Sequence, residues 1–368
     1  MWLLVFGTYD AGRHPRVGVL AEGLAASGVT VEECNEPNEV DTSTRVNGIS
    51  RPWTLVMPGL RILRAWVRLW RRGRRISAVD AVLVGYLGVF DVHLARRLWR
   101  KTPVLLDELA FAGDTARDRG VGGKRVRRLL DWLDRKAAQA ADVVLVDTDE
   151  SLTHLPPDLR GRGLVVPVGA PAGWFREPER RVGKPLRVVF FGLYTPLQGA
   201  PVIGEAIRAG ARADVEWTMI GRGQDLDTVR RMVGDTHGVC WLDWVQPGDL
   251  PETVAGHDVC LGIFGTGEKA RRVVPNKVYQ GAAAGCAIVT SDTAPQRRAL
   301  GEDALYVPCG DSAALADVIA ALAEDRPLVE RLRAAAYRRA VDDFAPRSVV
   351  APLVRRLADL ASEDRETD

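Results

Sequence analysis

Short apolar runs alternate with longer amphipathic stretches along the chain. LLVF is followed by a helical pattern over 16–27, AVLV by one over 91–99, VLL by one over 124–139, and VVLV by a short helix. A continuous apolar run of four or five residues reads as a strand covered on both faces, and an amphipathic stretch between two of them supplies the crossover that parallel strands need. The pattern therefore predicts an α/β fold with a parallel, doubly wound sheet. It breaks over 170–185, where APAGWFREPERRVGKP follows neither period and is rich in proline, glycine and charge. Such a segment predicts an interdomain linker. Beyond it the alternation resumes with RVVFFG, VEWTMIG, GVCWLDW, DVCLGIFG, AIVTS and ALYVP, which predicts a second sheet of the same kind. We expect domains at 1–172 and 184–345. After FAP, an amphipathic stretch to residue 362 is long enough to pack back across their junction. Ligands of open α/β sheets bind beyond the carboxyl ends of the strands, so the active site is expected in a cleft between the two domains.

Length agrees with two domains, since 368 residues exceed what one core usually serves. Lys and Arg number 50 against 48 Asp and Glu, so no overall field points to nucleic acid. Cys34, Cys240, Cys260, Cys286 and Cys309 are scattered, without the paired spacing of a zinc site or a disulfide framework. The start MWLLVFGTYDAG lacks a basic leader, and no apolar run approaches a membrane span. These features predict a cytoplasmic protein. One local cluster qualifies that reading. Over 51–76, Leu60, Leu63, Trp66, Val67 and Trp70 recur at helical spacing against Arg61, Arg64, Arg68, Arg71, Arg72 and Arg75. The strip reads either as a helix with one core face and one solvated charged face, or as peripheral contact through residues 60–75 with the anionic inner face of a membrane, serving a lipid-linked acceptor.

The run GIFGTGEKARRVVPNKVYQGAAAGCAIVTSD at 262–292 carries the most chemistry. It leads from the end of a strand into a helix starting near Lys277, and gathers Lys269, Arg271, Arg272, Asn276 and Lys277 there. Unpaired backbone N–H groups and the helix dipole make such a helix start an anion site, which cations strengthen. A diphosphate is the expected guest; the plainer reading is a solvated basic loop before a core helix. Small residues from Gly281 to Ala284 let that helix lie close to the sheet, and Gly285 can close it.

With these motifs in view, the chain resembles the family-4 glycosyltransferases of the GT-B fold. The resemblance rests on FFGLYTPLQGAPVIGEAI (190–207), MIGRGQ (219–224), WLDWVQPGDLP (241–251), PNKVYQGAAAGCAIVTSD (275–292) and LYVPCGDSAAL (305–315), in the family's order. It is nearest to a subgroup with P-N-K-V-x-Q in the donor loop. The resemblance implies two Rossmann-like domains, a nucleoside-diphosphate sugar such as a UDP-sugar as donor, and transfer to a hydroxyl acceptor. It further implies retention at the anomeric carbon, no metal and no cofactor. Gly192, Tyr194 and Gly199 fall in the turn bordering the donor phosphates. The Arg and Lys usual in that turn are replaced by Leu193 and Gln198, so the neutralising charge is assigned to Lys269, Arg272 and Lys277 as the catalytic cations. Gly265, Asn276 and Val278 belong to the donor loop. Of the family's paired glutamates, Gly262 stands at the first position and Gln280 at the second, where an amide can still bond the ribose. Arg298 stands where a glutamate is frequent. Arg222, Trp244 and Val245 match the nucleobase side.

In the N-terminal half, GTYDAGRHPR resembles the family's short glycine loop. It offers Gly7 to the donor, and Tyr9, His14 and Arg16 to the acceptor. Asp107 and Glu108 end another strand, with Asp114, Asp118 and Arg119 soon after. Asp107 is the candidate base and Asp114 a candidate acceptor ligand; a helix cap or a salt bridge is the plainer role for Asp107. Asp147, Thr148 and Asp149 look like a metal-binding D-x-D, yet they sit between a strand and a helix, where capping explains them. Two other functions compete. An NAD-dependent oxidoreductase would need G-x-G-x-x-G after the first strand, which is absent. A non-catalytic nucleotide-sugar-binding protein would fit the replaced Arg, Lys and glutamates.

Overall fold

The computed structural model describes residues 1–10, 14–37, 56–76, 78–86, 88–179 and 185–367. The chain divides into two compact units, 1–167 with 346–368, and 168–345.

The first unit holds strands β1 (Trp2–Gly7), β2 (Thr30–Asn35), β3 (Ala81–Val84), β4 (Val104–Asp107), β5 (Val143–Val146) and β6 (Gly163–Val165), all parallel, in the order β2-β1-β3-β4-β5-β6. Between them run α1 (Pro15–Ala26), α2 (Val56–Gly73), α3 (Asp91–Leu98), α4 (Ala112–Asp118), α5 (Lys124–Ala140) and α6 (Asp149–His154). Successive strand residues point to opposite faces. Leu4, Phe6, Val82, Val84, Leu106 and Val144 pack with α2, α3 and α5 through Leu69, Val92, Ala95 and Ala138. Leu3, Val5, Leu83, Leu105 and Leu145 pack with α1 on the other face. Burial on both faces is why these strands read as continuous apolar runs. β2 reads differently: TVEECN buries only Cys34, as an edge strand permits.

The second unit repeats the plan with β7 (Leu186–Phe191), β8 (Val215–Ile220), β9 (Val239–Leu242), β10 (Val259–Leu261), β11 (Ala287–Ser291) and β12 (Ala304–Val307), again parallel, in the order β12-β11-β10-β7-β8-β9. Its helices are α7 (Ala200–Ala209), α8 (Leu226–Val233), α9 (Leu250–Ala255), α10 (Asn276–Ala283), α11 (Ala294–Leu300), α12 (Ser312–Glu324) and α13 (Arg326–Arg339). The strand order reverses between β7 and β10. At such a point the connections leave in opposite directions and open a crevice at the carboxyl ends.

The chain then forms α14 (Pro346–Val349) and α15 (Ala351–Thr367), which belong to the first unit. Gly23 permits this, because a side chain there would come within 2.2 Å of the Pro346 carbonyl. Val349, Val350, Leu353 and Leu357 join the core of Leu20 and Leu24. Residues 168–172, expected with the N-terminal domain, fall in the second unit. There Ala170 N–H donates to the Phe344 carbonyl at 2.9 Å, and Trp174 stacks on Phe191 with centroids 5.6 Å apart. No helix among the described residues is long and apolar enough to cross a membrane.

Candidate active site

The switch point of the second sheet brings together the turn after β7 and the loop after β10. Gly192 leaves β7 at φ +136°, and Gly199 closes the following single helical turn, Pro196–Gln198, at φ +64°. Both lie where a side chain is strained. Space tightens the requirement: a side chain on Gly199 would meet Gly265 N at 2.4 Å, and one on Gly265 would meet the Pro196 carbonyl at 2.5 Å. Phe264 N–H donates to the Gln198 carbonyl at 3.0 Å and locks the two loops. The glycines that the resemblance assigns to the donor phosphates are thus also what lets these backbones touch.

α10 starts beside these loops and lies flat on β10, because Gly281 leaves room for Cys260, whose Sγ would be 2.5 Å from a side chain there. Gly285 ends the helix at φ +76°. On the first turn of α10, Lys277 is buried. Its Nζ donates to Gln198 Oε1 at 2.5 Å, sits 3.7 Å over the Phe190 ring, and lies 3.2 Å from where a Gly192 side chain would begin. Burial pulls this ammonium down to about 7, since little around it compensates for lost hydration. Lys269 and Arg272 are half-buried in the turn leading into the helix, where Arg272 N–H donates to the Lys269 carbonyl. Asn276 is half-buried at the helix start, and Gln280 is buried one turn on.

Other donor-side residues separate by exposure. Val278 is core, and so is Tyr194, whose ring meets Phe190 edge-on at 5.4 Å. The Tyr194 side chain therefore faces inward, and only its backbone lines the turn, accepting from Asp225 N–H at 3.1 Å. Trp244 is 62% exposed and therefore not part of the core. Val245 beside it is half-buried, and Arg222 pairs with Asp243 at 3.4 Å. Gly262 has no room for the family's glutamate, because a side chain there would strike Thr290 Oγ1 at 2.1 Å. The buried Thr290 hydroxyl, bonded to Gln296, fills that space.

At the carboxyl edge of the first sheet, several expected acceptor groups are occupied within the fold. Tyr9 is buried against Gly85 and its hydroxyl donates to Glu33 at 2.7 Å. Arg16 and Asp107 are both buried and bind each other at 2.7 Å, and Arg16 also donates to the Pro167 carbonyl at 2.9 Å. One Asp107 oxygen is therefore held in a salt bridge, and the other is buried without a hydrogen-bond partner. Burial pushes its carboxyl up and Arg16 pulls it back; Glu108, buried near Asp134 and Asp107, lies well above the usual range. Asp114 is buried on α4. His14 precedes α1 with its ring 4.4 Å from that of Tyr86. Gly7 ends β1 at φ +150°, beside Asp91. The D-x-D segment caps α6, with Thr148 Oγ1 accepting from Ser151 N–H at 3.1 Å. Residues Ala11 to Arg13 of the glycine loop lie outside the described residues.

Two participants had no sequence signal. Gln198 registered only as a missing lysine, yet it holds Lys277. Asp91 accepts from Thr8 N–H at 2.8 Å and from Trp66 Nε1 at 2.8 Å, tying the β1 turn to α2.

Residues 185–325, which span the switch point and α10, match the family described as glycosyl transferases group 1. The second unit is thus similar, over most of its length, to the glycosyl transferases of group 1. A phosphatidyl-myo-inositol mannosyltransferase of Mycobacterium leprae is 34% identical to the chain over 161 residues, 42% of this chain and 41% of that protein, so the match spans about two fifths of the relative. Among solved structures, the sucrose-phosphate synthase of Thermosynechococcus elongatus superposes with a TM-score of 0.72 at 13% identity, over 99% of this chain and 100% of that one. Anabaena HepE, in complex with UDP and glucose, gives 0.66 at 13% identity over 97% and 99%. The UDP-forming α,α-trehalose-phosphate synthase of Burkholderia vietnamiensis gives 0.66 at 16% over 99% and 98%. These likenesses assign the GT-B fold to the whole chain.

Proposed function

We propose that the chain moves a sugar from a nucleoside-diphosphate sugar, with UDP as the carrier, to a hydroxyl acceptor, retaining the anomeric configuration and using no metal. The observation that carries this reading is Lys277, a buried amine held behind Gly192 at the strand-order reversal, on the first turn of α10. Backbone at Gly192, Gly199 and Gly265 borders the diphosphate. Lys277, Lys269 and Arg272 with the N–H groups of α10 balance its charge as the glycosidic bond breaks. Asn276 and Gln280 serve the phosphate and ribose side, and Arg222, Trp244 and Val245 the base. On the acceptor side, His14 and Asp114 remain candidates; Arg16, Asp107 and Tyr9 act by holding the first sheet's edge in place. Catalysis then rests on positioning and on stabilising the leaving group, with no buried nucleophile.

The test is a thermal-shift panel of UDP, GDP, ADP and dTDP sugars and NAD, followed by transfer assays with and without chelator and NMR of the product anomer. One nucleotide sugar should raise the melting temperature, NAD should not, and Lys277→Ala should lower turnover by about 10²-fold. An unchanged rate in Lys277→Ala, or no response to any nucleotide, sinks the reading.

A lipid-linked acceptor at an anionic membrane surface is part of the same proposal, and it fits the relative named for phosphatidyl-myo-inositol. α2 does not carry the single apolar strip expected from its sequence. Ala65 and Leu69 face the core with Trp66 beside them, whereas Leu63, Val67 and Trp70 are exposed among Arg61, Arg64 and Arg71. α5, on the same sheet face, exposes Leu129 and Trp132 among Arg125, Arg128 and Lys136. The side chain of Leu60 lies outside the described residues.

A further inference from the structure

Lys277 and Gln198 are an exchange of roles. The turn position where the family places a cation holds a neutral amide, and the cation comes from the helix behind it. Gln198 is half-buried and Lys277 buried. With Oε1 accepting from Nζ, the Gln198 amide still has its N–H groups as donors. No ion pair is formed by Lys277 among the described residues. From β10 the Cys260 thiol is the titratable group felt at Nζ, and burial holds it well above its usual range, hence neutral. β7 contributes the Phe190 ring, and the turn after it Gly192 and Gln198. Several charged residues on the other neighbours of α10 are engaged elsewhere. Arg333 of α13 binds the carbonyls of Glu179 and Gly285, Asp343 pairs with Arg339, and Glu252 of α9 with Arg176.

An amine so placed has no carboxylate to keep it charged before the donor arrives. A bound diphosphate would bring two negative charges to the Gly192 turn, and opposite charge at short range favours the ammonium. We propose that donor binding is coupled to proton uptake: Gln198 positions the Lys277 amine behind the Gly192 turn, and the arriving diphosphate draws one proton from solvent onto Nζ, creating the counter-charge where it is needed. No bond is made or broken other than the N–H formed on the amine lone pair. Burial that pulls Lys277 down to about 7 places this uptake in the neutral to mildly alkaline range. The site thus avoids holding a bare buried cation when empty, a state that costs hydration without a partner. This rests on the proposal that the crevice binds a sugar nucleotide.

The experiment is calorimetric titration of the full chain with UDP-glucose, GDP-mannose, ADP-glucose and dTDP-glucose. Their diphosphates are diesters that do not titrate near neutrality. The best binder is then measured from pH 7 to 9 in phosphate and in Tris, buffers of different ionisation enthalpy. Near pH 8.5 the buffer dependence should report uptake of about one proton, and affinity should fall by about tenfold from pH 7.5 to 8.5. Gln198→Glu should remove the uptake while still binding, because a carboxylate keeps the amine charged in the empty site. Lys277→Met should remove uptake and weaken binding, with circular dichroism reporting its fold; if it does not fold, wild type and Gln198→Glu decide. Binding with the same enthalpy in both buffers overturns the coupling alone. Unchanged uptake in Gln198→Glu overturns the role of Gln198. Binding of none of the four donors overturns the functional reading and the coupling with it.

Discussion

Asp134 shows how a buried carboxylate of the first unit shapes stability. One oxygen accepts from Gly113 N–H at 3.0 Å, the other has no hydrogen-bond partner, and burial pushes the group up to about 6. Because its folded value is raised, the unfolded chain releases this proton first. Its favourable contribution is complete below the ordinary aspartate range near 3.8 and is lost as pH rises through about 6. Asp134→Asn keeps an acceptor for Gly113 and cannot ionise. It should therefore stabilise the chain at pH 8, on the order of 2 kcal/mol, with little effect at pH 4. Denaturant unfolding at both values checks this, and equal effects at the two would count against it. Sequence could not single out Asp134, since only the backbone of α4 makes it buried. The same holds for Arg16 and Asp107. They were legible as polar residues at a strand edge, but 91 positions separate them and only folding makes them partners.

At the level of elements, α2 and α5 belong together. Leu63, Val67, Trp70 and Arg74 recur at spacings of four, three and four, and so do Arg125, Leu129, Trp132 and Lys136. Both rows face outward, and both helices pack on one face of the first sheet with α3 between them. If this face meets an anionic bilayer, Leu129→Ser with Trp132→Ser should weaken partitioning onto vesicles of anionic phospholipid by about tenfold or more. Neutral vesicles should retain little of either protein. Wild-type protein that fails to sediment with anionic vesicles would end the idea. Helical periodicity alone had placed Trp66 and Trp70 on one strip. Their roles diverge because Asp91, 25 positions from Trp66, draws the Trp66 indole inward. The polar strand β2 and the three-residue β6 also escaped the apolar pattern, since edge strands need not be buried on both sides.

For the whole molecule, α15 adds Leu353 and Leu357 to the core of the first unit rather than to the unit it follows in sequence. Leu353→Ala should cost about 3 kcal/mol, and hydrogen exchange should show loosened protection in α1 and β1 while β7 and α10 are unaffected. Loosening confined to the second unit would contradict the assignment. Much of this architecture was readable beforehand. Six strands of the second unit and four of the first stand where apolar runs meet helical stretches; those buried on both faces leave an unbroken hydrophobic signal, and the edge strand β9 keeps an apolar run although none of its residues is buried. The meeting of glycines, cations and a helix start in the segment before α10 was readable too, since these are local features. Sequence by itself thus determined the fold class, the repetition of the sheet and the segment of the chain where glycines and cations gather at a helix start. Tertiary structure decided which charges are available. It joined Arg16 to Asp107, turned Tyr194 inward, closed the space at Gly262, and set Gln198 against Lys277 across 79 positions. The physical reason is that periodicity is written in neighbouring residues, whereas desolvation and pairing of a charge depend on groups that only the folded chain brings within a few ångströms.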